Sequence, residues 1–164
     1  AMVVTRTPPG EPSAVRAVRF ESFGDGADLT TVRGGGSEHH PNAASTRLED
    51  NLFHMDGPSV LRMSMRRSPA LLEALRPGLS RGLGTIKLVV PHQPSLAGLR
   101  VMEAMGWPRA QIATTLDWLG NCIAASLPAT LYDVVREGRL ARGDEFLMVG
   151  SGAGLSLGGM ILTY

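Results

Sequence analysis

Apolar and polar positions along the chain form short blocks, spaced alternately as strands and as helices space them. Residues 2–5 read as a strand, and Pro8-Pro9-Gly10 as a turn. Ala14-Val15-Arg16-Ala17-Val18-Arg19-Phe20 reads as a second strand, although Val15 and Val18 fall out of strict alternation. The next stretch is polar and glycine-rich, with Gly34-Gly35-Gly36 inside it, and residues 24–56 are expected to form one long loop. A loop of that length in a compact domain is usually a lid or a binding segment.

Pro58 then opens a helical stretch in which Leu61, Met65, Leu72 and Leu75 share one face, with Arg62, Arg66 and Arg67 on the polar side. Pro69 removes one i to i−4 bond and should kink or locally open this helix, and Pro77-Gly78 ends it. Ile86-Lys87-Leu88-Val89-Val90 is a buried-type strand that delivers His92 at its carboxyl end. Pro94 suits the first turn of the following helix, on which Leu96, Leu99, Met102 and Met105 recur until Trp107-Pro108 breaks it. Residues 112–116 read as a short strand. A helix follows Asn121 with Ala124, Leu127, Leu131 and Val134 inward and Gly138 as its C-cap. Phe146-Leu147-Met148-Val149 is another buried strand, and residues 155–164 return as a final strand after a glycine-rich turn. The order β-β-loop-α-β-α-β-α-β-β predicts a layered α/β sheet with right-handed crossovers.

Size and charge narrow the function classes. A chain of 164 residues is one domain. Its formal charge of +1 gives no bulk field for nucleic acid, so no nucleic-acid partner is expected. The single cysteine, Cys122, excludes an internal disulfide and fits a reducing, cytoplasmic setting. No apolar run reaches a membrane span, and the start lacks signal-peptide order, so no membrane partner is expected either.

Several constellations compete for the chemistry. In an α/β layout, ligands meet the chain at the carboxyl ends of strands, which favours His92. Glu38, His39 and His40 are metal-ligating residue types, but adjacent histidines in a flexible run are more often solvated, and no metal is expected. Gly150-Ser151-Gly152-Ala153-Gly154 is glycine-rich like a dinucleotide turn. It nevertheless lacks the first-strand context and the downstream acid, so its glycines are read as allowing close backbone approach, with an N–H facing a developing oxyanion. Cys122, His92 and Asn121 are the residue types of a thiol nucleophile set. Asn121 and Cys122 are neighbours whose side chains should diverge, however, and Cys122 is read as small, buried and inert. His92 and Asn121 are suited instead to donating hydrogen bonds to a carbonyl oxygen as it gains negative charge. Arg62, Arg66 and Arg67 form either a solvated face or a docking patch for an acidic carrier.

The motifs together resemble the C-terminal half of a β-ketoacyl-acyl-carrier-protein synthase III, of the thiolase superfamily, over essentially the whole chain. Ala1-Met2-Val3-Val4 resembles the strand that follows a glycine- and alanine-rich segment in that family. Phe53-His54-Met55-Asp56-Gly57-Pro58-Ser59-Val60 resembles the start of its helix, and Val90-Pro91-His92-Gln93 its histidine motif. Thr115-Leu116-Asp117-Trp118-Leu119-Gly120-Asn121-Cys122-Ile123-Ala124-Ala125-Ser126-Leu127-Pro128 resembles its asparagine motif, and Gly143-Asp144 and Gly152-Ala153-Gly154 its closing segment. The resemblance implies a thiolase-like half with a five-stranded mixed sheet and packed helices. It also implies a homodimer, and a preceding N-terminal half that carries the nucleophilic cysteine.

The same resemblance implies that His92 and Asn121 polarise the incoming thioester carbonyl. Ala153, beside Gly152, would lend its N–H to the oxyanion hole, and Gly57 and Pro58 would line the pantetheine tunnel. Arg62 falls where a basic carrier-docking residue is seen, with Arg66 beside it. No cofactor is implied, the substrate being an acyl-CoA or acyl-carrier-protein thioester. Two departures stand out. The usual asparagine after the histidine motif is Ser95, following Pro94, so a pantetheine contact changes. The next helix is about one residue short, leaving the CoA-contacting arginine unmatched, with Arg100 as a stand-in. Both favour a specialised acyltransferase of polyketide or other secondary metabolism. It would either condense its acyl group with a carbon nucleophile or pass it to an oxygen or nitrogen acceptor. The other alternative is a non-catalytic partner subunit of a full-length homologue, against which the retained His92 and Asn121 argue.

Overall fold

Residues 2–164 are described by a computed structural model. In chain order the elements are β1 (Ala14–Ser22), the two-residue strands β2 (Thr30–Thr31) and β3 (His54–Met55), and helix α1 (Gly57–Leu75). They continue with β4 (Leu88–Pro91), α2 (Leu96–Ala104), the single turn α3 (Leu116–Leu119), α4 (Ser126–Arg136), β5 (Glu145–Gly152) and β6 (Ser156–Thr163). The main sheet is mixed, four strands in the order β1-β6-β5-β4, with β4 parallel to β5 and both other pairings antiparallel.

Every residue of β4 is buried, as a strand covered on both faces must be. Val89 joins the core on one side with Leu71, Leu72 and Leu75 of α1 and Leu99 of α2. Leu88 and Val90 join the other side with Val134 of α4, Leu140 and Phe146. The sheet is therefore sandwiched between α1 and α2 on one face and α4 on the other. Gly158 and Gly159 thin β6 so that Phe20 can lie against one of its faces and Leu75 against the other. Among the described residues no helix is long and apolar enough to cross a membrane.

The expected fifth strand is reduced to one parallel bridge between Val89 and Ile112, with Ala113 N–H donating to Val89 C=O. Thr114 and Thr115 turn away from the ladder because their polar groups find side-chain partners, and residues 116–119 close into a helical turn. Residues 2–5 form no strand. Met2, Val3 and Val4 lie exposed; Ala1 lies outside the described residues. The irregular alternation in β1 has a direct cause, a register shift between Val15 and Ala17 that leaves Val15 and Val18 exposed.

Helix details differ in the same physical way. The inward face of α1 is Met63, Leu71, Leu72 and Leu75, while Met65 sits at its rim, exposed. Arg67 is not on the solvent side with Arg62: its guanidinium stacks 4.7 Å over Phe23 and reaches Asp25. Helix α1 runs through Pro69 unbroken and ends at Leu75, just before Pro77-Gly78. Pro94 precedes α2 rather than opening it, because Ser95 is the N-cap. Helix α4 starts at Ser126, so Ala124 lies in the preceding 3₁₀ turn and is exposed, while Leu127 and Leu131 pack against the core beside Val134.

Residues 24–56 make one excursion between sheet strand and helix. Its base is closed by the antiparallel pair β2–β3 and by Asp56 N–H donating to Leu29 C=O.

Candidate active site

Strand β4 ends at Pro91 and hands the chain to His92, whose N–H donates to Val149 C=O of β5 at 2.7 Å. The neighbouring position on β5 is Gly150, where an added Cβ would come within 2.9 Å of His92 Cβ. The imidazole is half-buried, and burial pushes its pKa below the ordinary histidine value of 6.5. At neutral pH the ring is therefore neutral, with one N–H to donate.

The segment that bridges Val89 runs parallel to β4, so the chain beyond it emerges at the same end of the sheet as His92. There α3 ends on Gly120, whose φ of 68° only glycine adopts freely, and Asn121 comes next, exposed. Its Oδ1 accepts from the Ile123 N–H at 2.9 Å, which assigns the oxygen inward and presents the NH₂ group as the free end. Ile123 has φ +53°, an uncommon backbone for a β-branched residue. The strain is held by this turn and by the Cys122 N–H bond to Ser126 Oγ.

Cys122 is only partly buried, contrary to the expectation of a buried thiol, because it precedes α4 instead of facing the core. Its Sγ lies 3.3 Å from the Leu119 carbonyl oxygen, a local contact that fits a bystander role. The β5–β6 hairpin tip is also at the His92 end. Gly152 pairs with Ser156 there, and Ala153 sits exposed on the turn, which Gly154 completes at φ 106°.

The remaining predicted residues are dispersed. Gly57 and Pro58 form the first turn of α1, behind the Asp56 N-cap. The Asp56 carboxyl accepts from the Ser59 hydroxyl and N–H, chiefly the hydroxyl, and is held below the usual carboxylate range. Arg62 donates to Ser59 Oγ, and Arg66 is exposed 4.0 Å from Asp25, so both belong to the α1 face of the sheet. Arg66 and Arg67 also line an open hollow of about 460 Å³ with Glu21, Phe23 and Ala70, on that same face. Arg100 is exposed on α2. Ser95 Oγ accepts from Gly98 N–H as the α2 cap, so its hydroxyl has a structural partner. Glu38 and His39 approach to 3.8 Å on an exposed turn, and His40 Nδ1 accepts from Asn42 N–H.

One group with a bearing on the site was read from the sequence only as part of the histidine motif, with no role of its own. Gln93 is completely buried beside His92 and bonds to Thr114, Thr115 and Thr130. The available signal was Thr130, a polar residue four positions before Val134 on the buried side of α4.

Comparisons with known proteins bear on this arrangement. The family model "3-Oxoacyl-[acyl-carrier-protein (ACP)] synthase III C terminal" matches residues 81–164. A β-ketoacyl-[acyl-carrier-protein] synthase III of Desulfitobacterium hafniense is 34% identical over 147 residues, covering 86% of this chain and 43% of that protein. An acetoacetyl CoA synthase of Streptomyces sp. is 32% identical over 159 residues, covering 95% of this chain and 48% of that one. A crystal structure of β-ketoacyl-[acyl carrier protein] synthase III from Thermus thermophilus superposes with a TM-score of 0.77 at 29% identity, over 98% of this chain and 49% of that chain. The fold is thus thiolase-like, and the chain spans about half the length of the relatives it matches.

Proposed function

The chain belongs to the 3-oxoacyl-[acyl-carrier-protein (ACP)] synthase III C-terminal family, and from that premise we propose that it supplies the carbonyl-polarising half of an acyl-condensing enzyme. The first half of the complete protein would carry the nucleophilic cysteine that takes an acyl group from a CoA or carrier-protein thioester. The reading is supported above all by Asn121, whose Oδ1 is engaged by Ile123 so that its NH₂ is the end left to donate. Half-buried, neutral His92 lies at the same end of the sheet.

The chemistry rests on those donors. A malonyl thioester loses carbon dioxide, and the electron pair of the broken C–C bond passes into an enolate whose charge gathers on the thioester oxygen. His92 and Asn121 N–H groups stabilise that oxygen. The enolate carbon then attacks the acyl-cysteine carbonyl, forming the new C–C bond and releasing the cysteine thiolate. The Ala153 N–H, at the hairpin tip, would serve the oxyanion of this second step. Gly57 and Pro58 would line the pantetheine path, Arg62, Arg66 and Arg100 would meet the carrier, and the complete protein would be a homodimer. The changes at Pro94, Ser95 and the missing CoA-contacting arginine support a specialised, secondary-metabolic role. Ser95 lends no separate support to an alcohol or amine acceptor, since its hydroxyl caps α2.

Product mass from the full-length protein, given an acyl and a malonyl thioester with and without a hydroxylated acceptor, decides the matter. Carbon dioxide release with a β-ketoacyl product is expected, and Asn121→Ala or His92→Ala should cost on the order of 3 kcal/mol of transition-state stabilisation. An ester formed without decarboxylation would replace condensation by O-acyl transfer. No turnover on any thioester would leave a non-catalytic partner subunit.

A further inference from the structure

The side chain of Gln93 is buried completely, yet none of its hydrogen bonds serves the strand before it. Its Nε2 donates to Thr130 Oγ1 at 2.6 Å, and its Oε1 accepts from Thr114 Oγ1 at 2.8 Å and from Thr115 N–H at 2.9 Å. Thr130 Oγ1, already an acceptor, has its own proton to give to Thr115 Oγ1, 3.0 Å away. Thr114 and Thr115 lead through α3 to Asn121, and Thr130 lies on α4 just after it. One amide therefore ties the residue next to His92 to both segments that flank Asn121.

We infer that Gln93 is a positioning residue, which locks the His92 turn to the two arms of the Asn121 loop and so sets where the two donors point; this rests on the condensing role proposed above. The surroundings favour that over simple core filling. Leu88, Val90, Ala113, Val134 and Phe146 make the adjoining core apolar, where a leucine or methionine would pack without needing three partners. A fully satisfied buried network instead admits one arrangement of the segments it joins. Asn121 itself is exposed and Ile123 strained, so the loop needs an anchor outside itself.

The experiment uses the full-length protein with Gln93→Met, Thr130→Val and Thr130→Ser, each also combined with His92→Ala. Gln93→Met and Thr130→Val should load the acyl group on the nucleophile normally and bind malonyl thioester with KM within about threefold, while decarboxylation kcat falls about ten- to a hundredfold. Thr130→Ser, which keeps the hydroxyl, should stay within about threefold of the parent. In the His92→Ala background the Gln93→Met loss should be clearly smaller than in the parent, because the share acting through His92 is gone and only the share acting through Asn121 remains. The His92 Cε1–H signal in a ¹³C-histidine spectrum, assigned with His92→Ala, should move or broaden in Gln93→Met and Thr130→Val and stay put in Thr130→Ser.

A lowered thermal midpoint with unchanged kcat and an unmoved His92 signal would overturn the proposal, as would a loss equally large in the His92→Ala background. If Gln93→Met fails to fold, the Thr130→Ser and Thr130→Val pair decides alone. A parent protein that never decarboxylates would refute the condensing role, and the histidine spectra would still test the positioning.

Discussion

Adding one methyl group at Gly150 should silence His92 while leaving its neighbours in place. The Cβ of Gly150→Ala would stand 2.9 Å from His92 Cβ, whereas two carbons pack at about 3.5–4.0 Å. The pair must therefore separate by about 0.6–1.1 Å to reach that packing distance. His92 N–H is bonded to Val149 C=O and Gly150 is inside the β5–β6 ladder, so neither backbone yields freely. Turning the imidazole cannot relieve a clash at Cβ, so the His92 backbone must shift and carry the ring with it. A misplacement of about 1 Å costs up to about a hundredfold in rate, equivalent to roughly 2.7 kcal/mol. The assay is carbon dioxide release from malonyl thioester by full-length Gly150→Ala, alongside mass-spectrometric loading of the acyl group and the thermal midpoint. Decarboxylation should fall about ten- to a hundredfold with loading retained. A folded variant that decarboxylates within about twofold of the parent would refute this, and so would loading lost in step with decarboxylation.

Cys122→Ala should keep acyl loading and turnover and cost about 1 kcal/mol or less, since the thiol is partly exposed; disappearance of the acyl adduct from peptide maps would make Cys122 the nucleophile. The depressed pKa of His92 fixes the sign of its pH dependence. Above pH 6.5 the ring is neutral folded and unfolded; as pH falls through 6.5 the unfolded chain binds the proton first, so stability drops until the lower folded value is reached. The acid limb of kcat/KM should accordingly lie below pH 6.5, and a limb at or above it that His92→Ala removes would contradict the burial of the ring.

The features legible in the sequence were those encoded locally. Four consecutive buried residues in β4 carry an apolar run that no surface strand would have, and the histidine at its end is placed by that run alone. Asn121 beside a glycine was readable for the same reason. Residues 112–116 misled because two threonines suit a strand as well as a buried network, and Gln93, 21 to 37 positions away from its partners, decides between them. The orientation of the Asn121 amide depends on the backbone of Ile123, a left-handed conformation that no propensity assigns to isoleucine. Residues 2–5 have the composition of a strand, but pairing needs a surface to bury against, and composition does not report one.

The pairing of β1 with β6 also governs how this part of the protein can be made. Ala14 lies opposite Thr163, so β1 joins the sheet only through β6, the strand that follows all the others in chain order. The β5–β6 hairpin and its β4 neighbour can assemble from shorter separations, whereas β1 must wait until β6 has been made, about ten seconds or more at usual elongation rates. Through that interval Val15, Val18 and Phe20 have no neighbouring strand. A chaperone that shields this segment during translation should therefore raise the yield of folded protein.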